Sequence, residues 1–303
     1  MFDLKDMADK LIEMLFRLLG LIPRQWTISF GNLLGHVMYL ADRKHRNIVL
    51  DNLNRAFGHE KDPFEIRMLA KQVFMNTVQI PFEIGWSLRL DEQRLTRHFR
   101  IEGRSNIKNA YDKGKGVLVL TAHFGNWELT SVVGAMLNYP LSVVYRPLDF
   151  KPLDRFFIHL RTRFGGKVIP NKRSLLMLLR RLGRGEMVVL LMDQNVDWYE
   201  GVFVDFLGHR ACTNSGLALL ALKTRAPVVP VFMVREKNGF TAKVLPEIPF
   251  KRTGDKTRDI EDNTEQYNKV IESFLRRYPD QWLWLHQRWK TKPYQPWPRE
   301  PQK

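Results

Sequence analysis

"GVLVLTAHFGNWELTSVVGAML", residues 116–137, passes from an unbroken apolar run through a short polar corner into a helical rhythm. Five β-favouring residues bounded by glycine read as a buried strand, and "NWELTSVVGAML" reads as the helix after it. The same alternation repeats downstream. "LSVVYRP" precedes "LDRFFIHLRTRFG", "KVIP" precedes "RSLLMLLRRLGRG", and "MVVLLMDQN" leads, after "GVFVDFL", into "TNSGLALLALKTRA"; "PVVPVFMVRE" and "FTAKVLPEI" close the series. Strands alternating with helices predict an α/β fold, a three-layer α/β/α sandwich with a mostly parallel central sheet.

Upstream of Gly103 the text reads as helices. Residues 1–41 form a helical N-terminal extension, and 42–303 form the main domain, with a helical part over 42–100 and an α/β part over 101–303. No repeat or low-complexity linker divides the chain. In "DMADKLIEMLFRLLGLIPR" (6–24), Asp6, Lys10, Glu13 and Arg17 are expected to share one helical face while Leu11, Leu15, Leu18 and Leu19 fill the other. Trp26 to Ala41 lacks Asp, Glu, Lys and Arg, but its sixteen residues would span only about 24 Å against roughly 30 Å of bilayer hydrocarbon. Two readings stay open for this region: ordinary core helices, or attachment to a membrane interface. A cleaved signal peptide is not expected, since no small-residue cleavage site comes after Leu21 and Ile22. In "HEKDPFEIRMLAKQVFMNTVQIPFEIGWSL" (59–88), Phe64, Met68, Phe74 and Val78 recur at helical spacing.

Lysine and arginine outnumber aspartate and glutamate 48 to 32, a formal charge of +16 over 303 residues. Such a surplus favours nucleic acid, phospholipid headgroups or an acidic carrier protein. Cys212 is the only cysteine, so no intramolecular disulfide forms and no cysteine-based zinc site is expected.

His123 stands at the carboxyl end of a strand, where open α/β sheets gather their chemistry. On a continuous helix His123 and Glu128 would diverge by about 140 degrees, so a turn must intervene for them to meet. Gly125 permits that turn, Asn126 is a good N-cap, and Glu128 falls in the first helical turn. A carboxylate-supported histidine is a general base; the alternative is a helix-end glutamate beside a turn histidine. Asp193, at another strand end, either positions an acceptor or a basic group of the site, or caps the next loop. No G-x-S-x-G elbow, H-E-x-x-H pair or P-loop occurs, which argues against a serine hydrolase, a zincin and a nucleotide-binding site; no metal site and no cofactor is expected. No nucleic-acid recognition motif accompanies the charge.

"HFGNWE" (123–128) and its continuation resemble the lysophospholipid acyltransferase superfamily, and in particular its branch of lipid A biosynthesis late acyltransferases. "VYRPLDFKPLDRFF" with "RTRFG", "LLMDQN", "GVFVDFLGHRACTNSGLALLALKTRAPVVPVF" and "WLWLHQRWK" resemble its further blocks, over residues 47–292 in all. Asp205 and Gln287 depart from the family pattern, where proline and arginine are more common. The resemblance implies transfer of a fatty acyl chain from a thioester, on acyl carrier protein or coenzyme A, to a hydroxyl of a phosphorylated glycolipid, without an acyl-enzyme. It implies His123 as base and Glu128 as the group that orients and supports it. It gives Arg146 the acceptor phosphate or the oxyanion, and it offers Arg161, Arg163 and Asp193 as substrate contacts. It also implies a place on the cytoplasmic face of the inner membrane, with the basic surplus facing lipid and carrier. A phosphatidylinositol mannoside or an amino-acid lipid is the alternative acceptor. Among the tryptophans of "DQWLWLHQRWKTKPYQPWP", Trp282 and Trp284 are expected to pack, and Trp289 and Trp297 to meet lipid.

Overall fold

The computed structural model describes residues 4–293. The chain opens with helices α1 (Leu4–Leu19), α2 (Arg24–Ala41), α3 (Arg43–Phe57), α4 (Pro63–Ser87) and α5 (Glu92–His98), then β1 (Phe99–Glu102) and α6 (Arg104–Tyr111). β2 (Val117–Thr121) leads through a 3-10 turn (Trp127–Thr130) into α7 (Ser131–Leu137), then β3 (Leu141–Tyr145), α8 (Lys151–Thr162), β4 (Lys167–Pro170), α9 (Leu175–Gly183) and β5 (Met187–Leu191). A hairpin, β6 (Gly201–Phe206) and β7 (His209–Asn214), precedes α10 (Gly216–Thr224), β8 (Val228–Glu236), β9 (Gly239–Val244) and α11 (Lys256–Arg277).

Seven strands form one sheet in the order β1-β9-β8-β2-β5-β3-β4, parallel throughout except for the β8–β9 pair. Because successive side chains point to opposite faces, β2 feeds two cores. Leu118 and Leu120 join α9, α10 and α11 on one face; Val117 and Val119 join α5, α6 and α7 on the other. The expected layered architecture is present. Two strands escape the pattern: four-residue β1, which begins inside the segment read as helical, and β7, whose "HRACTN" lacks an apolar run.

α4 starts with a capping box in which Asp62 accepts from the backbone of Glu65 and Glu65 accepts from that of Asp62. Its buried stripe is set by Ile66, Ala70, Val73 and Phe74, whereas Phe64 and Met68 face outward. α2 lies along α4, and the Arg24 guanidinium reaches the carbonyls of Glu236 and Gly239 at 3.1 and 3.0 Å, fastening the helix to the β8–β9 turn. Phe16 stacks on Phe156 of α8 at 4.2 Å, and Arg155 pairs with Asp9 at 2.6 Å. The N-terminal helices are thus packed onto the body, yet Leu11, Leu15, Leu18, Leu33 and Leu40 remain exposed. Among the described residues no helix is long and apolar enough to cross a membrane.

α1 approaches α4 where Gly20 faces Gly85: a Cβ on Gly85 would lie 2.2 Å from the Phe16 carbonyl oxygen. Gly85→Ala should therefore lower unfolding stability by about 1–3 kcal/mol and speed protease cleavage between α1 and α2. Wild-type denaturation and cleavage in the variant would mean that the helices have room to part.

Candidate active site

The strand β2 ends against a corner that the chain could not turn with a larger residue. Gly125 has φ +56°, and a Cβ there would meet the Met233 carbonyl oxygen at 2.0 Å. The corner is braced from the closing segment: the N–H of Gly125 donates to Gln281 O at 2.8 Å, and the N–H of Leu283 donates to His123 O at 3.0 Å. Asn126 occupies the N-cap position of the 3-10 turn, but its side chain makes no capping bond there. Its buried side chain donates to Glu83 of α4 at 3.0 Å, and Glu83 holds Arg235 of β8 through two contacts of 2.5 and 2.8 Å. Beyond Asn126 the chain makes its 3-10 turn, and only then does α7 begin.

This corner presents His123, whose side chain is 21% exposed, beside fully buried Asp193 at the end of β5. His123 Nδ1 lies 2.9 Å from Asp193 Oδ1, and the His123 backbone N–H donates to Oδ2 at 3.0 Å. The Trp282 indole N–H donates to the same Oδ2 at 2.6 Å. Burial pulls the Asp193 carboxyl upward, but the charge on His123 and the hydrogen bonds from His123 and Trp282 outweigh it and hold the group well below the usual carboxylate range. With Nδ1–H donating to Asp193, Nε2 is the basic nitrogen.

Glu128 is engaged elsewhere. It accepts from Arg161 Nε and Nη2, both at 2.8 Å, and from the Trp127 indole N–H at 3.0 Å. The carboxylate on the imidazole is thus Asp193, and the expected contact between Glu128 and His123 is replaced by a bidentate pair between Glu128 and Arg161. The Arg161 guanidinium also lies 5.4 Å from the rings of Tyr145 and Phe157, so it is engaged within the fold rather than held free for a phosphate. Arg163 is likewise spent inside the fold, donating to the carbonyls of Ser87, Leu88 and Leu90. Arg146 stands exposed just beyond β3. Trp282 and Trp284 are buried as expected; Trp289, 6% exposed against Phe206 and His209, is a core residue and not a lipid contact. Trp297 lies outside the described residues.

Glu83, Arg235, Gln281 and Trp282 escaped sequence reasoning as site supports because their partners lie many tens of positions away. The one signal available was the cluster of polar and aromatic groups in "DQWLW" near the chain end.

A basic nitrogen backed by a buried carboxylate, with no serine or cysteine hydrogen-bonded to it among the described residues, suits proton abstraction from a substrate hydroxyl. Residues 4–291 match the pattern of the family described as bacterial lipid A biosynthesis acyltransferase. The chain belongs to that family. A lipid A biosynthesis acyltransferase of Haemophilus influenzae is 26% identical over 91% of this chain and 85% of its own length. A lipid A biosynthesis lauroyltransferase of Escherichia coli is 27% identical, covering 90% of this chain and 88% of its own. A phosphatidylinositol mannoside acyltransferase of Mycolicibacterium smegmatis is 27% identical over 66% of this chain and 65% of its own. The chain is an acyltransferase.

Two isosteric changes separate the carboxylates. Asp193→Asn should cut the transfer rate by about 10²- to 10⁴-fold with the fold intact. Glu128→Gln should cost about 3 kcal/mol of stability in denaturant, because it leaves the Arg161 guanidinium short of its counter-charge. Near-normal transfer by Asp193→Asn, together with an undiminished melting profile for an inactive Glu128→Gln, would return the supporting role to Glu128.

Proposed function

We propose that the protein transfers a fatty acyl group from an acyl carrier protein thioester to a hydroxyl of a phosphorylated lipid A precursor at the cytoplasmic face of the inner membrane. His123 Nε2 takes the acceptor's hydroxyl proton as the oxygen attacks the thioester carbonyl. The tetrahedral intermediate then expels the thiolate, the C–O ester bond replaces the C–S bond, and the imidazolium returns its proton to the departing sulfur. Asp193 fixes the tautomer and balances the positive charge that His123 carries between these events. Arg146, exposed beyond β3, would supply positive charge to the acceptor phosphate or to the oxyanion. Glu128 and Arg161 would brace the 3-10 turn that follows the His123 corner against α8.

The observation that carries this reading is the contact between His123 and Asp193 at adjoining strand ends, in a chain of an acyltransferase family. The lipid partner is supported by the exposed leucines of α1 and α2, an apolar surface suited to the interfacial zone of a bilayer. The formal charge of +16 suits both an anionic lipid and an acidic carrier protein. A phosphatidylinositol mannoside acceptor is the second reading, favoured by the similarity to the mycobacterial-type enzyme.

Mass spectrometry of lipids incubated with purified protein and mixed acyl carrier thioesters should find one added acyl group on the lipid A precursor, absent with folded His123→Ala. A gain on the mannoside alone would select the second reading, and a gain only with coenzyme A thioesters would change the donor. Replacing Leu11, Leu15 and Leu18 together by serine should reduce co-sedimentation with phosphatidylglycerol vesicles by about tenfold; unchanged sedimentation would refute α1 as the lipid-facing helix.

A further inference from the structure

The Asp193 carboxylate receives its third hydrogen bond from a residue more than eighty positions downstream. Trp282 is 1% exposed, and its ring is fixed by Phe206, Trp284 and His286 at 5.7, 4.6 and 4.9 Å. Its backbone bridges to Phe124, and its neighbour Leu283 donates to the His123 carbonyl. The indole is therefore tied to both ends of the His123–Asp193 pair.

An indole N–H can only donate, so the oxygen that receives it at 2.6 Å must be unprotonated. A hydrogen bond to a carboxylate also draws off part of its charge, which weakens the carboxylate's hold on an adjacent imidazolium. Behind the pair, His286 is pushed by burial down to about 4 and is neutral near pH 7, with Nδ1 2.7 Å from the Leu283 carbonyl oxygen. Arg288 is pushed by burial down to about 10 and keeps its charge, donating to Cys212 O and Thr213 Oγ1. Burial pushes the Cys212 thiol up, so it stays neutral.

We propose that Trp282 is a positioning residue for the acyl transfer: its indole N–H clamps Asp193 against His123 Nδ1, leaving Nε2 to face the substrate, and moderates the carboxylate's charge. The inference rests on the proposed role of His123 for its chemistry. Trp284 supplies a matched control, since its equally buried indole N–H donates to Pro279 O at 2.7 Å, away from the pair.

Full-length protein labelled with 15N-histidine and 15N-tryptophan is titrated by NMR in detergent as wild type, Trp282→Phe and Trp284→Phe. The pH at which the His123 imidazole takes up its proton should rise by about half a pH unit in Trp282→Phe and stay in place in Trp284→Phe. In the wild type, the Trp282 indole N–H resonance should move with the same midpoint, which tests the coupling even if a variant fails to fold. Transfer by Trp282→Phe should fall about threefold at pH 6, recover above about pH 8.5, and keep KM within about twofold. An unmoved or lowered midpoint, an equal change in both variants, or a loss that is the same at every pH overturns the proposal. If no acceptor is acylated by any of the proteins, the proposed donor and acceptor fail while the NMR comparison still decides what Trp282 does to His123.

Discussion

A single buried carboxylate holds the candidate site together. Asp193 has no exposed surface, and ionising such a group is costly unless several donors converge on it. The donors come from two places: the corner after β2 and the closing segment after α11. The chain must bring the ends of β2 and β5 side by side, which the parallel pairing of Thr121 with Leu191 does, and then return more than eighty residues later to cover them. Misplacing any of the three would leave a buried charge short of partners.

Two further ion pairs extend this arrangement. Glu83 with Arg235 joins α4 to β8 behind Asn126, and Glu128 with Arg161 joins the 3-10 turn to α8. Buried pairs of this kind add little net stability compared with apolar packing, but each is costly to break on one side. Their effect is to admit one arrangement of helices around the corner. Gln281 and Arg235 reinforce it by exchanging backbone and side-chain hydrogen bonds at 2.9 and 3.0 Å.

The layered architecture was legible because it is written locally: short apolar runs, then helical periodicity. So were the corner at Gly125 and the placing of His123 at a strand end, since strand ends and glycine turns are features of neighbouring residues. Partners were not. Glu128 lies close in sequence to His123, but the turn sends it to Arg161, while Asp193, seventy positions away, takes the imidazole. Spacing along the chain says which groups can face each other across a helix; it says nothing about which strand will lie alongside. The same blindness made Trp289 look like a lipid contact, because its basic neighbours are visible in the text and Phe206 beside it is not.

The closing segment also sets an order of events during synthesis. At roughly 5–20 residues per second, more than ten seconds separate the emergence of α1 from that of Trp282. During that interval the exposed leucines of α1 and α2 are already on offer, while the corner at Gly125 still lacks the backbone partners that Gln281 and Leu283 provide. The nascent chain can therefore settle onto an apolar surface before it has a finished site. Any product terminated before residue 281 lacks the partners that Gly125, His123 and Asp193 take from the closing segment, however well its sheet has formed.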